Sequence, residues 1–154
     1  MTNHQCLGSP SNSHSGFKFE EAARAYFQRV ENLELEPSLS IEIGVRGAKP
    51  KPYRFDLGSH SLAVLVECKS HTWTATGNIP SAKLTVWNEA MYYFHLVPHE
   101  CRKVLFVQES QCGKRAKSLP QYYVETHGHL IPPDVSVFEC NPEIKEGRYI
   151  RMAE

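Results

Sequence analysis

Glu67, Cys68 and Lys69 stand at the end of an apolar run, within Val64-Leu65-Val66-Glu67-Cys68-Lys69-Ser70. Side chains two apart on a strand leave the same face, so the Glu67 carboxylate and the Lys69 ammonium share one small surface while Cys68 points to the other. Ten residues separate Glu67 from Asp56, which adds a second carboxylate if a hairpin brings it opposite Glu67. Two carboxylates and a nearby backbone carbonyl, here that of Cys68, are the hard oxygen ligands that Mg2+ prefers, with its other positions left to water and a substrate phosphate. An ammonium beside them holds an attacking water or offsets charge on a phosphorane-like transition state. Metal-assisted phosphodiester hydrolysis is the reaction this set suits. The alternative is a Glu67–Lys69 ion pair on the face of a strand, in an unrelated α/β protein.

The chemistry requires elements that make these groups converge. Over residues 17–33, Phe19, Ala23, Tyr26, Phe27 and Val30 recur at helical spacing, which predicts an amphipathic helix with Ser15 as its N-cap. Leu39, Ile41, Ile43 and Val45 alternate with polar or small residues, the period of a half-buried strand. Gly47, Pro50 and Pro52 mark a loop over 46–52, and residues 53–58 and 62–69 read as the second and third strands of an antiparallel hairpin. Residues 70–79 form a loop, and Pro80 sits in the first turn of a helix in which Leu84, Trp87, Met91 and Phe94 keep helical spacing until Pro98. Residues 103–108 are apolar enough for a central strand. A third helix is predicted over about 118–128, and closing strands over 135–140 and 148–152. The expected layout is a flexible arm (1–14) and one α/β domain (15–154), with a core to about 108 and a C-terminal α/β appendage (109–154).

Strand register decides whether the carboxylates meet. Pairing Asp56 with Glu67 sets Ser59 opposite Val64 and leaves His60, Ser61, Leu62 and Ala63 as the connection. A tighter turn pairing Leu57 with Leu62 sets Asp56 against Ala63, roughly 13 Å along the strand from Glu67 and too far to share a metal. The apolar Leu62 and Ala63 favour the tighter turn; the chemistry requires the longer connection, or a bulge that produces the same convergence, and this is what we expect.

Composition narrows the classes. Hydrophobic residues at 41% and charged residues at 22% fit a folded domain rather than a disordered chain. No apolar run approaches the roughly 18–20 residues that cross a bilayer, and the polar N-terminus lacks the apolar core of a signal peptide, so a cytoplasmic protein without a membrane partner is expected. Five cysteines without a CxxC pair read as reduced thiols. His95-x3-His99 contains Pro98 and His127-Gly-His129 has no thiol pair nearby, which argues against structural zinc. Lys plus Arg equals Asp plus Glu at 17 each, which argues against tight non-specific DNA binding. Arg46, Lys49, Lys51 and Arg54 nevertheless cluster, as do Lys114, Arg115 and Lys117.

The chain resembles the PD-(D/E)XK nucleases, in which an Asp on the second strand precedes Glu/Asp-x-Lys on the third. Phe55-Asp56-Leu57 and Glu67-Cys68-Lys69 carry the likeness, with Phe55 where the motif name has Pro, and it spans roughly residues 15–108. The resemblance implies a restriction-endonuclease-like αβββαβ core with a mixed sheet flanked by helices. It implies a nuclease active on DNA in repair, restriction or mobile-element defence, using Mg2+ with Mn2+ able to substitute. Zero net charge and small size favour work as a homodimer or with a partner protein, since one small domain offers limited surface for gripping a duplex. Glu20 matches the acid often found on the family's first helix, and Lys83 the polar helper near the start of its second. Trp73 and His71 follow Lys69 in a loop close to any bound strand, where Trp73 either stacks on a base or is buried. Lys49, Lys51 and Arg54 are further candidate contacts to substrate. A catalytically silent member of the same fold, binding nucleic acid or a partner, is the competing reading.

Overall fold

The computed structural model describes residues 12–61 and 63–154, and only the backbone of Asn12 and Ser13. Residues 1–11 of the expected arm (1–14) and Leu62 lie outside the described residues, while residues 12–14 of that expected arm belong to the first helix. The first helix, α1 (Asn12–Tyr26), runs into a π-helical turn (Phe27–Glu31) that Asn32 closes in the left-handed conformation, φ 54°. Ser15 lies inside α1 and does not cap it. Phe19, Ala23 and Phe27 are buried as their spacing requires, whereas Val30 is exposed. The wider π turn shifts the helical phase, so Val30 leaves the apolar stripe and Glu31 meets Arg102 and Tyr149 instead.

Then come β1 (Glu36–Ile43), β2 (Lys51–Ser59), β3 (Val64–Lys69), α2 (Ser81–His95), β4 (Arg102–Gln108), α3 (Leu119–His127), β5 (Val135–Asn141) and β6 (Glu146–Arg151). Among the described residues these strands form one six-stranded mixed sheet in sequence order. β1, β2 and β3 make an antiparallel meander; β4 and β5 join in parallel, and β6 returns antiparallel. Residues 109–154 thus extend the same sheet. Val45, expected on the first strand, is exposed beyond its end, in a turn where its carbonyl accepts the Ala48 N–H. Pro37 lies within β1, an edge strand where a missing N–H is tolerated.

Parallel neighbours need crossovers, which α2 and α3 supply. Trp87 of α2 and Tyr123 of α3 lie in one apolar layer with Phe55, Leu65 and Leu105, so both helices cover the same face, as successive right-handed crossovers advancing in one direction do. α1 covers the other face through Phe19, Ala23 and Phe27, packed on Leu57, Val66, Val104 and Phe106. Burial of each of these Phe, Leu and Val side chains contributes roughly 1.5–3 kcal/mol. β4 is covered on both sides, which is why its Val104-Leu105-Phe106-Val107 is continuously apolar. Ser118 caps α3 in a reciprocal box with Gln121. No helix among the described residues is long and apolar enough to cross a membrane.

One irregularity positions the site. Phe55 packs in the layer under α2 while Leu57 packs in the layer under α1, although residues two apart on a regular strand share a face. β1 turns over at the same level: Pro37 pairs with Leu57 and Leu39 with Phe55, and Ser38 between them is left-handed, φ 55°. Asp56 occupies the turnover. Beside it, β1, β2 and β3 approach so closely that a Cβ on Gly58 would lie 2.6 Å from Leu39 Cδ2 and 2.8 Å from the Val64 carbonyl oxygen.

Candidate active site

β2 and β3 pair as Ser59 with Val64, Gly58 with Leu65 and Leu57 with Val66, the register of the longer connection. Where a continued ladder would set Phe55 opposite Cys68, the Cys68 amide donates instead to Asp56 Oδ2, at 2.7 Å. The Asp56 carboxylate therefore points along the sheet toward β3. Simple alternation placed it on the face shared by Glu67 and Lys69; the turnover at Ser38 and Asp56 aims it into the opening between the strands instead. That opening lies beside the Cys68 peptide, whose carbonyl was the expected backbone ligand.

Glu67 follows at the α2 side of the sheet, almost wholly buried at 1% exposure. Its Oε2 accepts from Lys69 Nζ at 2.8 Å and its Oε1 from the Tyr53 hydroxyl at 3.0 Å. Tyr53 is stacked on Tyr93 of α2 with centroids 3.9 Å apart, which fixes its ring. Burial raises the Glu67 carboxyl above the usual carboxylate range; Lys69 opposes this and the Asp56 charge adds to it. Burial by itself would lower Lys69, but the Glu67 charge and hydrogen bond, with Asp56 beyond them, hold its ammonium above the ordinary value. Burial and then Glu67 push the Tyr53 phenol far up, so Tyr53 acts here as a donor.

Glu20 of α1 joins the same field. Burial raises its carboxyl, the Asp56 charge raises it further, and Lys69 pulls it down. One ammonium thus faces three carboxylates, of which Glu67 and Glu20 are shifted toward holding a proton. A divalent cation would offset that imbalance, and Asp56, Glu67 and the Cys68 carbonyl are oxygen donors of the type Mg2+ takes. Among the described residues no group of three or more His, Cys, Asp or Glu side chains is disposed to hold a metal ion, so any ion here relies on that carbonyl and on water for its remaining ligands.

The remaining candidates separate. Trp73 is buried and does not present a stacking face: its ring packs against Tyr122, Arg115 lies over it with Cζ 4.9 Å from the centroid, and its amide donates to Ser110 Oγ. The apolar layer under α2 and α3 claims it. His71 and Lys83 line a cleft after Lys69. Lys49, Lys51 and Arg54 are exposed on the β1–β2 hairpin, and Lys51 sits five residues along β2 from Asp56, roughly 16 Å away. In the second basic cluster, Lys114 and Arg115 donate to the carbonyls of Thr76 and Gly77, and Lys117 pairs with Glu125. Sequence reasoning missed Tyr53, whose alternation with Phe55 marks it only as an apolar-face residue. Compared with protein-family models, with curated proteins and with solved structures, the chain matches none.

Proposed function

We propose that this chain is a metal-dependent nuclease of the PD-(D/E)XK type, built on a restriction-endonuclease-like core and hydrolysing phosphodiester bonds of DNA. The observation that carries the reading is the Asp56 carboxylate bonded to the Cys68 amide, one residue from Glu67 and Lys69. The order of helix, three antiparallel strands, helix and parallel strand supports it. Asp56, Glu67 and the Cys68 carbonyl would hold Mg2+ or Mn2+. Such an ion, when bound, polarises a phosphoryl oxygen and makes water acidic enough to supply hydroxide. Lys69 places its ammonium where the nucleophile is held and negative charge develops. Tyr53 keeps Glu67 oriented, and Glu20 adds negative charge that Asp56 feels. Duplex DNA is large for a chain of 17.5 kDa, and pairing of two copies or a partner protein would complete the grip.

The test is incubation of the full chain with plasmid and linear DNA in Mg2+ or Mn2+, beside Asp56→Asn and Lys69→Ala. Each substitution is expected to lower the cleavage rate by about 10²–10³-fold, the cost of removing one charge-stabilising group. Equal cleavage by all three proteins would overturn the assignment. The competing reading, a silent binding module, draws on the closure of Glu67, both of whose oxygens are engaged by Tyr53 and Lys69. DNA binding without cleavage in either metal would favour it.

A further inference from the structure

The loop after Lys69 turns along a cleft of about 520 Å³ whose walls include Ser70, His71, Thr72 and, from the first turn of α2, Lys83. The loop is held from behind: Trp73 N–H donates to Ser110 Oγ at 3.0 Å, and Arg115 both covers the Trp73 ring and donates from Nε to the Gly77 carbonyl at 2.8 Å. His71 is anchored separately. The buried indole of Trp87 donates from Nε1 to His71 Nδ1 at 2.8 Å. An indole nitrogen can only donate, so His71 Nδ1 is the acceptor and, in the neutral ring, the proton resides on Nε2. Burial, followed by the charges of Lys83 and Lys69, pushes the His71 pKa down to about 4, so the ring is neutral at neutral pH.

The cleft therefore combines one N–H donor of fixed tautomer, an ammonium and hydroxyl groups, in a field that two lysines make positive. Resting on the reading of Asp56, Glu67 and Lys69 as the hydrolytic centre, we propose that this cleft is a phosphate subsite of the nucleic-acid strand, where His71 Nε2–H and the Lys83 ammonium hold a phosphodiester neighbouring the one cleaved. The donor set is that of backbone recognition, so the subsite fixes the position of the strand and reads no bases. It gives His71 a role that stacking does not, because the ring is oriented by Trp87 to present a nitrogen.

The experiment is fluorescence anisotropy of a labelled DNA duplex with the full chain in EDTA and in Ca2+, comparing wild type with Lys83→Met and His71→Phe, alongside cleavage in Mg2+. Each substitution is expected to weaken binding about 10–100-fold, the range of a hydrogen bond to a charged group. Because His71→Phe leaves the Trp87 indole without its acceptor, a second measurement uses wild type alone: the His71 Nε2–H resonance in a long-range 1H–15N spectrum should move when DNA is added. Unchanged affinity in the exposed Lys83→Met variant, an unmoved His71 signal at saturating DNA, or no DNA binding by wild type would each overturn the subsite. Substitution-sensitive binding without cleavage in Mg2+ or Mn2+ would uphold the subsite and sink the hydrolytic reading; cleavage unaffected by either substitution would do the reverse.

Discussion

Two adjacent strands each carry a lysine bonded to a carboxylate, Lys103 buried on β4 and Lys69 partly exposed on β3, and the two pairs behave in opposite ways. On β4, Lys103 is 1% exposed and its ammonium donates to Asp134 Oδ2 at 2.5 Å and to the Val97 carbonyl at 2.9 Å. Burial would raise Asp134, but hydrogen bonds from Lys103 and His99 outweigh it and hold the carboxyl below its ordinary range. On β3, Glu67 has a lysine at similar distance and is raised all the same, because burial is deeper and Asp56 lies beside it. The first pair is matched charge for charge and ties the segment after α2 to the start of β5. The second has one ammonium for three carboxylates. A balanced pair of this kind serves the fold; burial together with unbalanced like charge marks a candidate functional site.

The largest effects should separate the pairs. Lys103→Met leaves Asp134 without its main partner and is expected to cost about 3–5 kcal/mol of stability, the penalty for breaking a buried pair, while the cleavage rate of the remaining folded protein is kept. Lys69→Met should do the converse, lowering cleavage by about 10²–10³-fold at a smaller loss of stability, because Glu67 can take up a proton once the ammonium is gone. Urea unfolding and plasmid cleavage on the same preparations decide this. Equal destabilisation by the two substitutions would mean that the β3 pair is structural too.

A smaller effect should follow from metal. At ten times its Kd, Mg2+ or Mn2+ is expected to stabilise the wild type by about 1.4 kcal/mol through mass action. The gain should vanish in Asp56→Asn and persist in an Asp134→Asn protein that remains folded. A thermal midpoint indifferent to metal in wild type would remove the charge argument for the site.

Acid should sharpen the contrast further. Glu67 has a folded pKa above its ordinary 4.5, so the folded state takes up this proton before the unfolded one. Its unfavourable contribution at neutral pH is therefore relieved as pH falls through that raised value toward 4.5. Asp134 lies below its ordinary 3.8; its stabilising contribution is present above 3.8 and lost as pH falls through the folded value. His71, lowered from 6.5 to about 4, contributes above 6.5 and loses that contribution as pH falls from 6.5 to about 4. Stability measured against pH should therefore show Glu67→Gln more stable than wild type near pH 7, with the advantage shrinking in acid. An advantage that grows in acid would contradict the assignment. The smallest change expected is Tyr53→Phe, which removes one hydrogen bond to Glu67 and should cost about 1 kcal/mol. Its cleavage rate should fall far less than that of Lys69→Ala, and a loss as large would give Tyr53 more than a positioning role.

Much of this molecule is written locally. The spacing of Phe19, Ala23 and Phe27, the run of Val104 to Val107 and the spacing of Leu84, Trp87, Met91 and Phe94 specify elements because each buries one face or both, and burial follows period. The placing of Glu67 beside Lys69 is local as well, since it needs only two residues of strand. Helical phase failed as a guide at Val30, where a π turn intervened, and strand alternation failed at Asp56. Tyr53 and Glu67, or Lys103 and Asp134, are partners that no spacing announces, because they are neighbours only through the sheet and its crossovers. The sequence by itself determined the kind and order of the main elements and the acid–base pair on β3. Tertiary structure decided that Asp56 would reach Cys68, because that contact depends on the register of β2 against β3 and on a backbone turnover shared by two strands, and both are set by packing between distant residues.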